Sequence, residues 1–332
     1  MDKPFLKKLR RIAPYVPGEQ PQRGDILKLN ANENPYPPAP GVQQALRSFD
    51  ASSLALYPDA GGKALKTALA GRFSVKPTQV FLGNGSDDVL ALAFQSFFCS
   101  DQPILYPDIT YSFYPVWCDL FRIPYETVPL DENFCVNIRD YDKPNGGVIL
   151  PNPNAPTGRA LPLDALEALL QHNADCVVII DEAYVDFGAQ SAVPLIEKYE
   201  NLLVVQTMSK SRSLAGLRIG YALGSETLIA TLEAVKNSYN SYTLDAVALA
   251  AGAASVADEA YFQQTCRKVI ATRERTADAL RALGFLVPPS LTNFLFVTHP
   301  QRDAAGLFAT LRDRGIFIRY FKLPRIDNYL RI

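Results

Sequence analysis

Through the middle of this chain, apolar runs three to six residues long alternate with longer segments of helical spacing. That alternation limits the fold more than any other feature. The runs at 80–82, 103–106, 147–150, 176–181 and 202–206 have strand length and turn residues at their ends, whereas 89–99, 163–171 and 189–199 have helix-like spacing. Strands separated by helices cannot pair as tight hairpins. The pattern therefore predicts an α/β unit with a mostly parallel sheet covered on both faces. Seven prolines between positions 14 and 40 mark an extended arm ahead of it. Beyond about residue 242 the chain becomes Ala-rich and helical (245–257, 261–283), then ends in a compact α+β tail that includes 294–297 and 316–320. The expected division is an arm plus part of a small domain over 1–40, a large domain over 41–240 and a small domain over 241–332.

Composition excludes several functions. With 33 basic and 34 acidic residues the net charge is −1, which gives no footprint for a nucleic acid or an anionic membrane. Met1-Asp2-Lys3-Pro4-Phe5-Leu6-Lys7-Lys8 lacks the apolar core of a signal peptide, and the apolar runs are strand-sized rather than membrane-sized. Five scattered cysteines without a CxxC pair, and two histidines, provide neither a disulfide framework nor a metal site, so a reducing cytoplasm is the expected home. His172 at a helix end and His299 beside Pro300 read as surface residues, which disfavours a Ser-His-Asp hydrolase. Proton chemistry has to come from another side chain.

Loops that leave strand ends carry the unusual residues, where open α/β sheets place their sites. Thr207-Met208-Ser209-Lys210-Ser211 follows one strand, and Arg218 comes eight residues after Lys210. A lysine delivered by a strand, with hydroxyls and an arginine nearby, suits pyridoxal phosphate: the lysine forms a Schiff base and the other groups neutralise the phosphate. A solvated basic loop would read the same way. Gly83-Asn84-Gly85-Ser86-Asp87-Asp88 ends a strand and opens a helix, whose free N–H groups suit a phosphate. Asp88 stands where a dinucleotide fingerprint needs its third glycine, so a phosphate cup of Gly85, Ser86 and Asp87, completed by Ser209 and Arg218, is the better reading. Asp181 is the first polar residue after a buried strand; it could hold a protonated ring nitrogen or merely cap the next turn.

Taken in order, these motifs resemble those of the class I/II aminotransferases, and in particular the histidinol-phosphate aminotransferases, in which Leu29-Asn30-Ala31-Asn32-Glu33-Asn34-Pro35 is characteristic. The resemblance implies fold type I, aspartate aminotransferase-like, with pyridoxal 5'-phosphate bound in the large domain. It implies that Lys210 carries the cofactor and shuttles a proton, and that Asp181 sustains the electron sink. Asp181-Glu182-Ala183-Tyr184 matches an Asp-x-Ala-Tyr motif, making Tyr184 a partner of the cofactor's phenolic oxygen. Pro151-Asn152-Pro153-Asn154-Ala155-Pro156-Thr157-Gly158 resembles the Asn-Pro-Thr-Gly loop; with Ala155 before Pro156, the asparagine role moves to Asn154. Tyr111 would lie over the ring. Tyr57, in Tyr57-Pro58-Asp59, would reach the cofactor of a neighbouring subunit in a homodimer.

Substrate binding is implied for Tyr15, Asn32, Arg319 and Arg331, two arginines suiting a phosphate on one substrate and a carboxylate on the other. The implied partners are a small-molecule amino donor and a 2-oxo acid, with L-histidinol phosphate and 2-oxoglutarate leading. Threonine-phosphate decarboxylases and aromatic-amino-acid aminotransferases are alternatives of the same fold, and a non-catalytic cofactor-binding relative is an outside one. The sequence stops at Ile332, directly after Arg331, where the family continues through a strand and a helix. The expectation is a loosened segment around Arg331, with lower stability or weaker substrate binding.

Overall fold

The computed structural model describes residues 3–21 and 25–332. One sheet has seven strands: β1 (Val80–Asn84), β2 (Ile104–Pro107), β3 (Tyr125–Val128), β4 (Gly147–Pro151), β5 (Val178–Asp181), β6 (Leu202–Thr207) and β7 (Ile219–Gly224). Their order is β1-β7-β6-β5-β4-β2-β3, and β7 runs antiparallel to both of its neighbours while the other pairs are parallel.

Side chains alternate across this sheet, as the two-residue period of a strand requires. Leu105, Val148, Leu150, Val178, Ile180 and Val204 pack on one face against helices Lys63–Phe73, Leu163–His172 and Ala246–Ala257. Ile104, Tyr106, Ile149, Ile179, Leu203 and Val205 pack on the other, against Ser86–Phe97, Tyr114–Phe121 and Glu226–Tyr239. Burial on both faces is why these strands read as uninterrupted apolar runs. Each buried Leu or Ile contributes roughly 1.5–3 kcal/mol. The layers thus hold the loops at the strand ends on a stiff base.

Four expectations changed in detail. The helix expected at 89–99 starts at Ser86, because Gly85 turns the chain at φ +83° and Gly220 on β7 leaves room for it. A Cβ on Gly220 would stand 2.3 Å from the Ser86 nitrogen. Residues 189–199 form no α-helix; Pro194 has no N–H to donate, and only a short turn, Val193–Leu195, forms. Strand β7 escaped the pattern because glycines interrupt it, and β3 escaped because Tyr125, Glu126 and Thr127 face solvent at the sheet edge. The tail strand expected at 316–320 divides in two. Ile316–Phe317 pairs with Leu27–Lys28, whereas Arg319–Tyr320 joins a different sheet.

That second sheet has Leu330–Arg331 in the middle, antiparallel to Arg319–Tyr320 on one side and to Phe296–Val297 on the other. Ile332 and Leu295 exchange both backbone hydrogen bonds, at 2.8 and 2.9 Å. The segment around Arg331 is therefore tied on both sides rather than loosened. Leu29 packs with Leu295, Val297, Ile318 and Leu330, so the arm shares the core of the C-terminal part. Among the described residues no helix is long and apolar enough to cross a membrane, and no His/Cys/Asp/Glu cluster could hold a metal.

Candidate active site

A cavity of about 360 Å³ opens where the sheet presents the carboxyl ends of β1, β2, β4, β5 and β6. Because β7 runs the other way, its amino end arrives at the same edge and brings Arg218 with it. The opposite wall is built by the arm (Tyr15, Asn32) and by the C-terminal sheet (Arg319, Arg331).

At the sheet end, Lys210 Nζ donates to the Ala31 carbonyl at 3.0 Å and lies 5.7 Å from the Tyr184 ring centroid. Tyr184 Oη accepts from Asn32 Nδ2 at 2.9 Å. Asp181 accepts from Tyr114 Oη at 2.9 Å and from the Ala183 N–H at 3.2 Å. Burial pushes its carboxyl up to about 6, with nearby Asp87 adding to the effect and the two hydrogen bonds opposing it. A carboxylate buried this way is stabilised by an incoming cation. Adjacent Glu182 is raised to about 7, again by burial, but faces away from the cavity toward Ser191, Ala192 and Gln206. Its work is in the scaffold.

Anion binding would centre on the start of helix Ser86–Phe97, whose first-turn N–H groups have no partner within the helix. Ser86, Ser209 and Arg218 line this corner; Gly85 lies just behind it, where a Cβ would come within 2.5 Å of Arg218 Nη2. Asp87 has a different part from the one its position suggested. Its carboxylate accepts from Tyr111 Oη at 2.8 Å and sits 3.6 Å from Arg218 Nη2. A carboxylate repels phosphate, so this side chain ties Tyr111 to Arg218, leaving its backbone N–H for an anion. Burial and Asp87 both push the Tyr111 phenol well up, so the hydroxyl keeps its proton.

At the far end, Arg331 Nη2 donates to the Asn30 carbonyl at 3.0 Å, while its Nε is buried without a partner. Among the described residues neither Arg319 nor Arg331 has an ion pair. Aromatic rings face them instead: Phe294 and Phe321 near Arg331, and Phe321 near Arg319. Burial, with Arg319 adding, holds the Arg331 guanidinium below its usual range. Tyr15 stacks on Phe113 at 4.3 Å and closes the wall.

Residues 24–332 match the family of class I and II aminotransferases. The chain belongs to that family. It is 56% identical over 328 residues to histidinol-phosphate aminotransferase 2 of Dechloromonas aromatica, covering 98% of this chain and 92% of that one. It is 54% identical over 329 residues to histidinol-phosphate aminotransferase 1 of Pseudomonas aeruginosa, covering 99% and 93%. Among solved structures, the histidinol-phosphate aminotransferase of Sinorhizobium meliloti in complex with pyridoxal-5'-phosphate superposes with a TM-score of 0.84 at 27% identity, over 92% of this chain and 85% of that one. The fold is thus that of the aspartate aminotransferase-like enzymes, and the chain is a pyridoxal-phosphate-dependent transaminase.

The cavity fits such a cofactor. It offers a lysine, a buried carboxylate lacking a cation, a helix start beside an arginine, and orphaned buried oxygens on Asn32 and Thr110. Two sequence-predicted residues stand elsewhere. Asn154 does not line the cavity; its amide N–H groups are spent on the Ile109 carbonyl and Thr157 Oγ1, both at 2.9 Å, so it has none left for a phenolic oxygen there. Tyr57 is 81% exposed and stacks on Tyr242 at 4.6 Å, outside this cavity. Sequence reasoning missed Thr207, which lines the cavity and holds Ser209, and Tyr114, which holds Asp181. Asn34 was quoted only within its motif, yet its amide clasps the carbonyls of Lys210 and Ser211.

Proposed function

We propose that the chain transfers the amino group of L-histidinol phosphate to 2-oxoglutarate, giving imidazole-acetol phosphate and L-glutamate, a step of histidine biosynthesis. The observation that carries this choice of substrate is a pair of arginines without carboxylate partners in the same cavity as Lys210, in a chain more than half identical to enzymes of that name. A buried cation without a counter-charge is costly unless an anion arrives. Both substrates bring one, a phosphate or a carboxylate, and the arginine fork binds either in two-pronged fashion.

Bound pyridoxal phosphate supplies the carbonyl carbon that takes up the amino group and the ring that accepts electron density. The chain does the rest. Lys210 would hold the cofactor, and its Nζ is the group that would carry the proton. Asp181 would face the ring nitrogen and favour its protonated form, and Tyr184, fixed by Asn32, would donate toward the phenolic oxygen. The helix start at Ser86, with Ser209 and Arg218, holds the phosphate. Tyr111, steadied by Asp87, would cover the ring. Tyr15, Arg319 and Arg331 orient the substrate and exclude water. The exposed Tyr57 suits a homodimer in which it reaches the partner's cofactor, and the reaction suits the cytoplasm. A three-part division at about residues 40 and 240 would put the phosphate and lysine in one domain and the substrate arginines in the other.

The test is the absorbance spectrum of the protein loaded with pyridoxal phosphate, before and after histidinol phosphate. Loss of the visible band, restored by 2-oxoglutarate, is expected. A band that ignores histidinol phosphate but responds to phenylalanine would make the chain an aromatic aminotransferase. Carbon dioxide released from threonine phosphate would make it a decarboxylase.

A further inference from the structure

Tyr114 is fully buried and does not line the cavity; its hydroxyl reaches the site through Asp181, and its ring packs edge-on against Tyr111. It opens helix Tyr114–Phe121, and its ring is boxed by Phe94 (6.0 Å), Tyr106 (5.8 Å), Tyr111 (5.8 Å, perpendicular) and Trp117 (6.2 Å). Close packing of this kind fixes the ring. Its hydroxyl points at Asp181 Oδ2, 2.9 Å away, while the Ala183 N–H holds Oδ1 from the loop that follows β5. We propose that Tyr114 is a positioning residue of the transamination reaction, orienting the Asp181 carboxylate and keeping it ionised against the ring nitrogen of the cofactor. This rests on the role given to Asp181 above.

The direction of the hydrogen bond follows from burial. Enclosure and the neighbouring carboxylate push the Tyr114 phenol well up, so it keeps its proton and can only donate to Asp181. Such a donor favours the charged carboxylate, against burial and against Asp87 on helix Ser86–Phe97, both of which favour the neutral acid. Other titratable groups share the cavity with Asp181: Tyr15 from the arm, Tyr111 before Tyr114, Tyr184 after β5, Lys210 after β6, Arg218 before β7, and Arg319 and Arg331 from the C-terminal sheet. Among the described residues Tyr114 alone donates a side-chain hydrogen bond to Asp181, so it decides how far burial succeeds. Without its hydroxyl the carboxyl moves up from about 6, and more of it is neutral at pH 7.

Tyr114→Phe removes one oxygen and keeps the packing. The expected results are a roughly tenfold weaker Kd for pyridoxal phosphate added to the apoprotein, and a kcat reduced by about the same factor with KM for histidinol phosphate unchanged. The acid limb of the pH–kcat profile and of the bound-cofactor absorbance should move to higher pH. A merely structural tyrosine would lower the melting temperature and leave both pH profiles in place, which would overturn the proposal. Asp181→Asn, alone and combined with Tyr114→Phe, separates the two levels. Equal cofactor Kd in the single Asn variant and the double variant supports action through Asp181; a further loss in the double variant overturns it. If Asp181→Asn itself binds cofactor normally, the role of Asp181 fails first. If only Tyr114→Phe behaves as wild type, this inference fails alone.

Discussion

The two ends of the cavity are built on opposite plans. At the sheet end three side chains arrive already partnered: Asp181 with Tyr114 and Ala183, Tyr184 with Asn32, and Tyr111 with Asp87. Among the described residues, only the buried oxygens of Asn32 and Thr110 are left open there. The partnered groups sit on strand ends of a seven-stranded sheet packed on both faces. At the far end Arg319 and Arg331 sit on two-residue strands, without carboxylate partners, and Arg331 Nε is buried and orphaned. A resident cofactor stays through every turnover, so its contacts can be set in advance. Two different substrates must enter and leave the same far end in turn. Charge left without a fixed partner serves both, provided each carries its own anion.

The comparison predicts losses of different kinds, in turnover at one end and in substrate affinity at the other, with no loss of stability at either. Lys210→Ala should reduce amino transfer by about 10⁴-fold or more, the scale of losing a positioned proton carrier, while barely changing the melting temperature. Single-turnover absorbance would check it; near-normal turnover would remove the sheet end from the chemistry. Arg331→Met should raise KM for histidinol phosphate roughly 100-fold. It should also leave the melting temperature of the free protein unchanged or higher, because an apolar side chain replaces a buried, unpaired cation. A clear drop would mean that Arg331 is a structural group after all.

A smaller effect probes how the two ends stay in register. Arg325, between the two strands that carry the arginines, donates to Asp108 Oδ2 and to the carbonyls of Leu130 and Asp131, each at 2.8 Å. Asp108 directly follows β2 and precedes the loop that carries Tyr111. Arg325→Ala should therefore raise KM by about tenfold with cofactor affinity unchanged, the size of a lost charged hydrogen bond. Weaker cofactor binding with an unaltered KM would place the clasp at the wrong end.

The sheet was legible because strands buried on both faces leave continuous apolar runs. β2, β4, β5 and β6 were visible for that reason, and Asp181 and Lys210 stood out as polar residues just beyond them. The far end left no such trace. Two-residue strands have no periodicity, and Arg319 and Arg331 came forward only through resemblance. Among Tyr111, Phe113, Tyr114 and Trp117 the sequence shows one aromatic cluster; only the turn into helix Tyr114–Phe121 decides that Tyr111 lines the cavity while Tyr114 backs Asp181. Asn154 was misread for a related reason. Motif spacing places a residue in a loop but not on a wall, and here the amide turns back to Ile109 and Thr157.

The smallest effect concerns the apoprotein and pH. Asp181 and Glu182 are neighbours on opposite sides of β5's end, and burial raises both, from 3.8 to about 6 and from 4.5 to about 7. A carboxyl raised on folding binds more protons folded than unfolded between the two values, so the stability it contributes is complete below the unfolded value and lost as pH climbs past the folded one. The apoprotein's melting temperature should accordingly fall between about pH 4 and 7, by a few degrees. Saturating pyridoxal phosphate, which would give Asp181 a cationic partner, should remove the lower part of that slope and leave the Glu182 part, because Glu182 faces Ser191, Ala192 and Gln206 rather than the cavity. Thermal melts at four or five pH values, with and without cofactor, decide it. A melting temperature that rises with pH would show that the donors around these carboxylates outweigh their burial, and Asp181 would then be ionised and set for a cation even before the cofactor binds.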